Sequence, residues 1–286
     1  MAEIGKDMNK ARQLLEKGEL VAIPTETVYG LAANALNVDA VLKIFQVKNR
    51  PEFDPLIIHV SSLKNAAFYA EDIPNKAKEL AEAFWPGPLT LLLRKKNIVP
   101  DLVTSGMPTV GIRCPDHPLT HSLLESLTFP LAAPSANPFG YISPTTPGHV
   151  EDQLGDSIPY ILDGGSCKVG IESTIVGFDN GVGIVFRTGG LKIEDIEKLI
   201  GKVHVEIASS SNPKAPGQLH SHYAPRKKLY AGDLDQLLTK YPLEKAGILS
   251  FQKDRHAPFQ HILSASGDPG EAARNFFSAL RSLEAL

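Results

Sequence analysis

Leu20-Val21-Ala22-Ile23-Pro24-Thr25-Glu26-Thr27-Val28-Tyr29-Gly30, Lys48-Asn49-Arg50-Pro51 and Leu56-Ile57-Ile58-His59-Val60 carry the strongest architectural signal in the chain. Their two short apolar runs, at Leu20 and at Leu56, have the length and branching of buried strands. Between them lie a polar turn and a helix over 38–47, with Val41, Leu42, Ile44 and Phe45 on its apolar side. Polar clusters thus fall at the ends of buried strands, where open α/β sheets bind ligands. Lys48 and Arg50, expected outside a regular helix and stiffened by Pro51, offer an ammonium and a guanidinium to anionic oxygens from two directions. The stretch predicts a phosphate or carboxylate site.

Upstream, Ala11, Leu14 and Leu15 recur at helical spacing before Gly18, a suitable C-cap. Downstream, helical spacing covers 63–69, 74–84, 118–127, 147–154 and 193–200. Apolar runs predict strands at 89–93, 109–113, 131–133, 160–162, 173–176, 183–186 and 203–207. Helices and strands alternate early, but the later strands are joined by short glycine-rich connections, which predicts an open mixed twisted α/β sheet with a concave cavity. This domain spans 1–207. A linker or lid rich in Ser, Pro and Gly follows at 208–227. Residues 228–286 then read as a smaller α/β domain, with a helix near Leu234, a strand at 246–250 and the stripe Ala273, Phe276, Phe277, Leu280 and Leu283. The stripe runs close to the last residue, so this domain is expected to be partial.

The 286 residues suffice for one large core or two domains, and 43% hydrophobic with 21% charged residues is a globular composition. A formal charge of -3 gives no global attraction to nucleic acid or an anionic membrane. The two cysteines, Cys114 and Cys167, have neither disulfide-framework nor zinc spacing, which predicts a cytoplasmic setting. The first residues lack the apolar core of a signal peptide, and no run approaches the roughly 20 apolar residues of a membrane span.

Each candidate has a plainer role. Lys48 and Arg50 suit the dipole at a helix end, Thr25 and Glu26 suit a helix start, and a lone buried His59 suits a core. Ser135 and Asn137, between two prolines, suit a turn. Repetition decides between these readings: four cations, Lys48, Arg50, Arg113 and Arg187, and two hydroxyl-rich turns are all expected at strand ends. His220-x-His222 lacks acidic or cysteine companions, so no metal site is expected there.

Taken together, Pro24-Thr25-Glu26-Thr27-Val28-Tyr29-Gly30-Leu31, Lys48-Asn49-Arg50-Pro51, Pro55-Leu56-Ile57-Ile58-His59, Trp85-Pro86-Gly87-Pro88-Leu89-Thr90, Pro134-Ser135-Ala136-Asn137 and Glu172-Ser173-Thr174 resemble the YrdC family. The likeness extends through His222-Tyr223-Ala224-Pro225 and is strongest to the longer, two-domain threonylcarbamoyl-AMP synthases. The resemblance implies an enzyme, a nucleotidyltransferase that joins L-threonine, bicarbonate and ATP into L-threonylcarbamoyladenylate with release of pyrophosphate. The product serves threonylcarbamoyladenosine formation in certain tRNAs. By the same resemblance, Lys48 and Arg50 are catalytic, and Thr27, His59, Arg113, Ala133 and Ser173 contact threonine. ATP, with Mg2+, would contact Arg50, Asp54, Thr109, Ser135, Asn137, Ser143, Arg187 and, from the linker, Tyr223. Implied partners are downstream tRNA threonylcarbamoyl transferase proteins, with weak contact to tRNA and none to a membrane.

Alanine at Lys48 or Arg50 is expected to abolish adenylate formation and leave the fold intact, because both side chains are expected in a cavity. Two other readings compete. A plain RNA-binding module needs a broad basic face and stacking aromatics, whereas aromatic residues are 7% of this chain. A related carbamoyl-adenylating enzyme acting on another amine would keep the ATP contacts and lose the dependence on threonine.

Overall fold

The computed structural model describes residues 1–206, 215–218, 223–242 and 246–286. Glu3–Gly5 (β1) precedes Met8–Glu16 (α1), whose first turn is capped by the Asp7 carboxylate accepting from Lys10 N. Val21–Ile23 (β2) and Gly30–Asn34 (β3) follow, then Val38–Lys48 (α2) and Ile57–His59 (β4). Next come Leu63–Ala66 (α3), Asn75–Phe84 (α4), Leu89–Arg94 (β5), Asp101–Thr104 (α5) and Thr109–Arg113 (β6). Pro118–Ser126 (α6), Leu131–Ala132 (β7), Pro147–Leu154 (α7) and Tyr160–Leu162 (β8) lead to Thr174–Asp179 (β9) and Val182–Arg187 (β10). Ile193–Ile200 (α8) and Val203–Val205 (β11) complete this part. Leu234–Leu238 (α9), Ile248–Ser250 (β12), Gln260–Ile262 (β13) and Pro269–Glu284 (α10) form the rest.

The first eleven strands form one sheet in the order β1-β8-β2-β3-β7-β4-β6-β5-β9-β10-β11. Parallel pairs such as β4–β6 and β5–β9 alternate with antiparallel ones such as β5–β6 and β9–β10, so the expected mixed sheet is present. The turn-rich segment after Gly30, expected to lead into a helix, instead supplies β3, a central strand paired with β2 and β7. Its residues Gly30-Leu31-Ala32-Ala33-Asn34 carry no β-branched side chain, so local propensity did not mark it. The strand forms because its backbone is paired on both sides and its residues are buried. Small strands β1 and β13 and the one-turn helix α5 were also unmarked.

Registered pairs place His59 beside Arg113, Arg113 beside Thr90, Thr90 beside Ile175, and Ile175 beside Arg187. Directly opposed residues share a face of a sheet. One row across five strands therefore carries His59, Arg113 and Arg187. Alternation sends Ile58 to the opposite face, into the main apolar core with Ile44, Leu91 and Ile112.

Lys48 is the last residue of α2, not a loop residue as expected. Asn49 then adopts a left-handed conformation (φ 50°), which asparagine tolerates better than most side chains. Arg50 N bonds to Phe45 O at 2.9 Å and Asn49 N to Gln46 O at 3.2 Å, a Schellman-type stop that folds Arg50 back under the sheet. The turn, rather than Pro51, sets the geometry of the Lys-Asn-Arg motif.

The expected second unit is present as the parallel pair β12–β13 with α9 and α10. Helix α10 does not stand apart: Phe277 and Leu280 pack with Val28 and Ile142 of the first unit. Much of the segment read as a linker, with Ile207, His220 and His222, lies outside the described residues. The described part, Ala215–Gln218, is docked: Ala215 is buried with Ile57, Ile175 and Phe186, and Gln218 Nε2 donates to Glu206 O at 3.2 Å.

Candidate active site

The row of paired residues forms one side of a cavity. Ile57 and His59 of β4, Arg113 of β6 and Arg187 of β10 line it, together with Thr25, Arg50, Ala133, Ser135, Glu172, Ser173, Pro216 and Tyr223. Gly111, outside the lining, lets the wall residue Ile57 lie close to β6, since a Cβ there would come within 3.2 Å of Ile57 Cγ1 and 3.3 Å of Thr90 Cγ2.

One end is built on β4 and β6. Arg113, 4% exposed, sets its Nη2 2.7 Å from Glu26 Oε1 in an ion pair that is not aligned as a hydrogen bond, and its Nε has no hydrogen-bond partner. Glu26 is fixed in turn by Asp116 N, which donates to Oε2 at 3.0 Å. His59 beside it is pushed down to a pKa of about 3, first by burial and then by the Arg113 charge, so it is a neutral imidazole at physiological pH. Its Nδ1 is buried without a partner. A guanidinium with unspent donors next to a neutral imidazole suits the carboxylate and amine of an amino acid.

Thr25 and Thr27 reach this end from an ST turn rather than a helix cap. Thr25 Oγ1 accepts from Thr27 N and Val28 N, both at 3.2 Å, and donates to Val28 O at 2.6 Å. Thr25 faces the cavity, while Thr27, expected as a contact, is buried behind it with its hydroxyl 2.9 Å from that of Thr25.

The other end gathers Arg50, Arg187 and Tyr223. Arg50 donates from Nε to Asp54 O at 3.0 Å and from Nη2 to Pro55 O at 2.7 Å, and lies 2.9 Å from the Asp54 carboxylate. Burial lowers the Arg50 pKa and raises that of Asp54, each opposed by the charge of the other, so the pair holds itself ionised. Arg187 donates to Ser173 O and Ser173 Oγ, both at 2.9 Å, and to Tyr223 Oη at 3.2 Å. Gly217 fits between them because it has φ +90° and a Cβ would sit 3.0 Å from both Arg187 Cδ and Tyr223 Oη.

Several expected contacts support the cavity from outside its wall. Lys48 is 1% exposed and donates to the carbonyls of Ser135 and Asn137, which fixes the loop that presents Ser135. Burial, aided by Arg50, pulls its pKa well below the ordinary lysine value. Lys48 is therefore core-like, and so is Asp54 at 0% exposure; the sequence predicts that alanine at Lys48 or Arg50 would leave the fold intact, and this burial argues that it would not. Asn137 Nδ2 donates to Pro138 O and Tyr141 O, and Ser143 Oγ to Glu172 Oε1 at 2.7 Å. Thr109 stands at the opposite end of β6 from Arg113, two residues along the same face from Gly111, and does not line the cavity.

A family profile for Sua5, YciO and YrdC proteins, described as "Telomere recombination", matches residues 13–189. A second, "Threonylcarbamoyl-AMP synthase, C-terminal domain", matches residues 191–286. The chain is 44% identical to the threonylcarbamoyl-AMP synthase of Bacillus subtilis and 39% identical to that of Pyrococcus abyssi, over 96% of this chain and 84% of each relative. The chain belongs to the threonylcarbamoyl-AMP synthase family. Its fold superposes on the crystal structure of Pyrococcus abyssi Sua5 complexed with L-threonine with a TM-score of 0.91, at 38% identity, covering 100% of this chain and 89% of that one.

Within this threonylcarbamoyl-AMP synthase family fold, sequence reading missed Thr25, Glu26, Glu172 and Pro216. Glu26 and Glu172 stand inside quoted motifs, so a signal existed: a carboxylate beside a cluster of cations. What the sequence lacks is the pairing, because Glu26 meets Arg113 only through the sheet register.

Proposed function

We propose that this cavity makes L-threonylcarbamoyl-AMP from L-threonine, bicarbonate or carbon dioxide, and ATP. The observation that carries the reading is the convergence of three nearly buried guanidinium groups, Arg50, Arg113 and Arg187, on one cavity with a neutral His59. Each faces one carboxylate, Asp54, Glu26 or Glu172, and a guanidinium carries five N–H donors, more than one carboxylate uses, so the group remains able to take anionic oxygens. Arg113 takes the threonine carboxylate, and His59, Thr25 and Ser173 orient the amine and hydroxyl. Arg50 and Arg187 take the phosphates, with Ser135, Pro216 and Tyr223 shaping the space for the nucleoside.

The amine, once it has lost a proton, forms the N–C bond as a C=O π bond of carbon dioxide opens onto oxygen or, from bicarbonate, as the C–OH bond breaks and the oxygen leaves as water. The carbamate nitrogen gives its second proton to solvent. A carbamate oxygen then bonds to the α-phosphorus as the bond to the bridging oxygen breaks and pyrophosphate leaves. Both partners are anionic, so fixed cations lower the repulsion between them and stabilise the developing charge. Lys48 acts by holding the Ser135–Asn137 loop in place. Magnesium enters with ATP as part of the substrate: among the described residues no group of three or more His, Cys, Asp or Glu is arranged for a metal, and magnesium is commonly held largely by phosphates and water, with Glu172 the carboxylate in the cavity wall. Bound there, it would neutralise phosphate charge.

The product is consumed by transferase proteins that modify tRNA, with only weak contact between this chain and the tRNA. The buried, unbridged Cys114 and Cys167 suit a reducing cytoplasm. No helix among the described residues is long and apolar enough to cross a membrane. The test is pyrophosphate release from MgATP with L-threonine and bicarbonate added separately and together. Release only with both is expected. Release with other amines in place of threonine would redirect the assignment to a related carbamoyl-adenylating enzyme, and release with neither co-substrate would defeat it.

A further inference from the structure

The nucleotide side of the cavity is not built by the sheet alone. Glu172 accepts from Ser143 Oγ at 2.7 Å, and its other oxygen lies 3.9 Å from Arg187. Ser143 belongs to the irregular segment between β7 and α7, so no strand or helix fixes its backbone. Downstream, Pro144 O accepts from Tyr29 N at 2.8 Å and Thr145 O from Cys167 N at 2.9 Å, and α10 supplies the bonds to Ile142 and Ser143 themselves. Arg281 donates from Nε to Ser143 O at 3.3 Å, and from Nη2 to Ile142 O and to Gln153 Oε1 at 2.9 Å.

The helix is held close enough for this. Phe277 and Leu280 pack on Val28 and Ile142, and at Gly170 (φ +76°) a Cβ would fall 2.4 Å from the carbonyl oxygen of Arg274. Burial pushes the Arg281 pKa down to about 10, opposed by Glu284 and Asp152, so the group stays charged at neutral pH. A planar guanidinium that spans two carbonyls and a side-chain amide fixes their relative geometry in a way that a flexible donor does not.

We propose that Arg281 is a positioning residue for the nucleotide subsite. By fixing the Ile142 and Ser143 carbonyls it sets Ser143 Oγ, which orients Glu172 beside Arg187. Arg281 touches no substrate. The threonine end rests mainly on β4 and β6; Ser173, next to Glu172 and bonded to Arg187, is a contact the two ends share, so the effect on threonine is expected to be the smaller one. The inference rests on the ATP-dependent synthesis proposed above.

The test uses the full chain and its R281M, R281K, S143A and R281M/S143A variants. ATP and threonine binding are each measured by titration calorimetry, alongside KM and kcat for pyrophosphate release. R281M is expected to weaken ATP binding and raise its KM about tenfold, with threonine binding within about twofold of the parent. R281K, which keeps a cation but not the fork, recovers part of the loss. The double variant is expected to cost no more than the worse single one, because both act on one chain of contacts. Unchanged ATP affinity, equal weakening of both ligands, or additive losses would overturn the proposal. If R281M does not fold, S143A alone decides: ATP affinity must fall while threonine affinity holds. The calorimetric arm needs no turnover, so an inactive parent that still binds ATP would sink the synthesis reading and leave the positioning test intact.

Discussion

Two buried arginine–carboxylate pairs frame the cavity and differ in how their donors are used. Arg50 spends Nε and Nη2 on the carbonyls of Asp54 and Pro55 as well as facing Asp54. Arg113 faces Glu26 through Nη2 at 2.7 Å, in an ion pair not aligned as a hydrogen bond, while its Nε goes without a partner. The first pair braces the chain where α2 stops and β4 begins. The second keeps hydrogen-bonding capacity for something else. Two arginines that look equivalent in the sequence thus divide into one that mainly holds the site and one that mainly awaits a ligand.

The largest effect should come from breaking the brace. Arg50→Ala leaves Asp54 buried and unpaired, and removal of one partner of a buried pair costs about 3–5 kcal/mol. Urea unfolding should show that loss, and an unchanged midpoint would erase the distinction between the pairs. Next in size, Arg113→Met with Glu26→Gln removes both charges at the other end. Stability should stay near that of the parent while threonine affinity, read by calorimetry, falls about 100-fold, as expected when a charged hydrogen-bonding partner is lost. Retained threonine affinity would refute the ligand role of Arg113.

A third test uses pH. The unfolded chain protonates His59 near its ordinary value of 6.5, whereas the native protein resists protonation down to about 3. Between those values the unfolded state binds more protons, so stability rises with pH, by about 1.4 kcal/mol per unit from this group. Chemical unfolding from pH 4 to pH 7 should show a shallower slope in His59→Gln; an equal slope would mean that the imidazole is not held neutral. The smallest effect is expected at Gly111, next to the cavity wall. Gly111→Ala places a methyl 3.2 Å from Ile57 Cγ1, which should cost about 1 kcal/mol and, by displacing Ile57 in the wall, raise the threonine KM about threefold. An unchanged KM would show that the packing of Ile57 does not bear on threonine binding.

Much of the fold was legible because apolar period and length are local properties. α2, β6, α7, β8 and α8 fall where spacing put them, within a residue or so at each end. β3 was not, since glycine, leucine and alanines acquire strand geometry there only by being paired on both sides. The motif residues Arg50, His59, Arg113, Ala133, Ser135, Ser173, Arg187 and Tyr223 do meet at one cavity, whereas Lys48, Thr27, Asp54, Asn137 and Ser143 stand behind its wall. Which member of a motif faces inward depends on turn geometry, as the ST turn that exposes Thr25 and buries Thr27 shows.

Residue types and their order supply the chemistry: guanidinium groups, hydroxyls and an imidazole at the ends of buried elements, in motifs specific enough to mark a family. Folding settles which charges pair, which donors stay open, and that α10 reaches back to Ser143. Those outcomes turn on distances between residues far apart in the chain. A residue's type sets what it is able to bond, and only packing sets what it finds within reach.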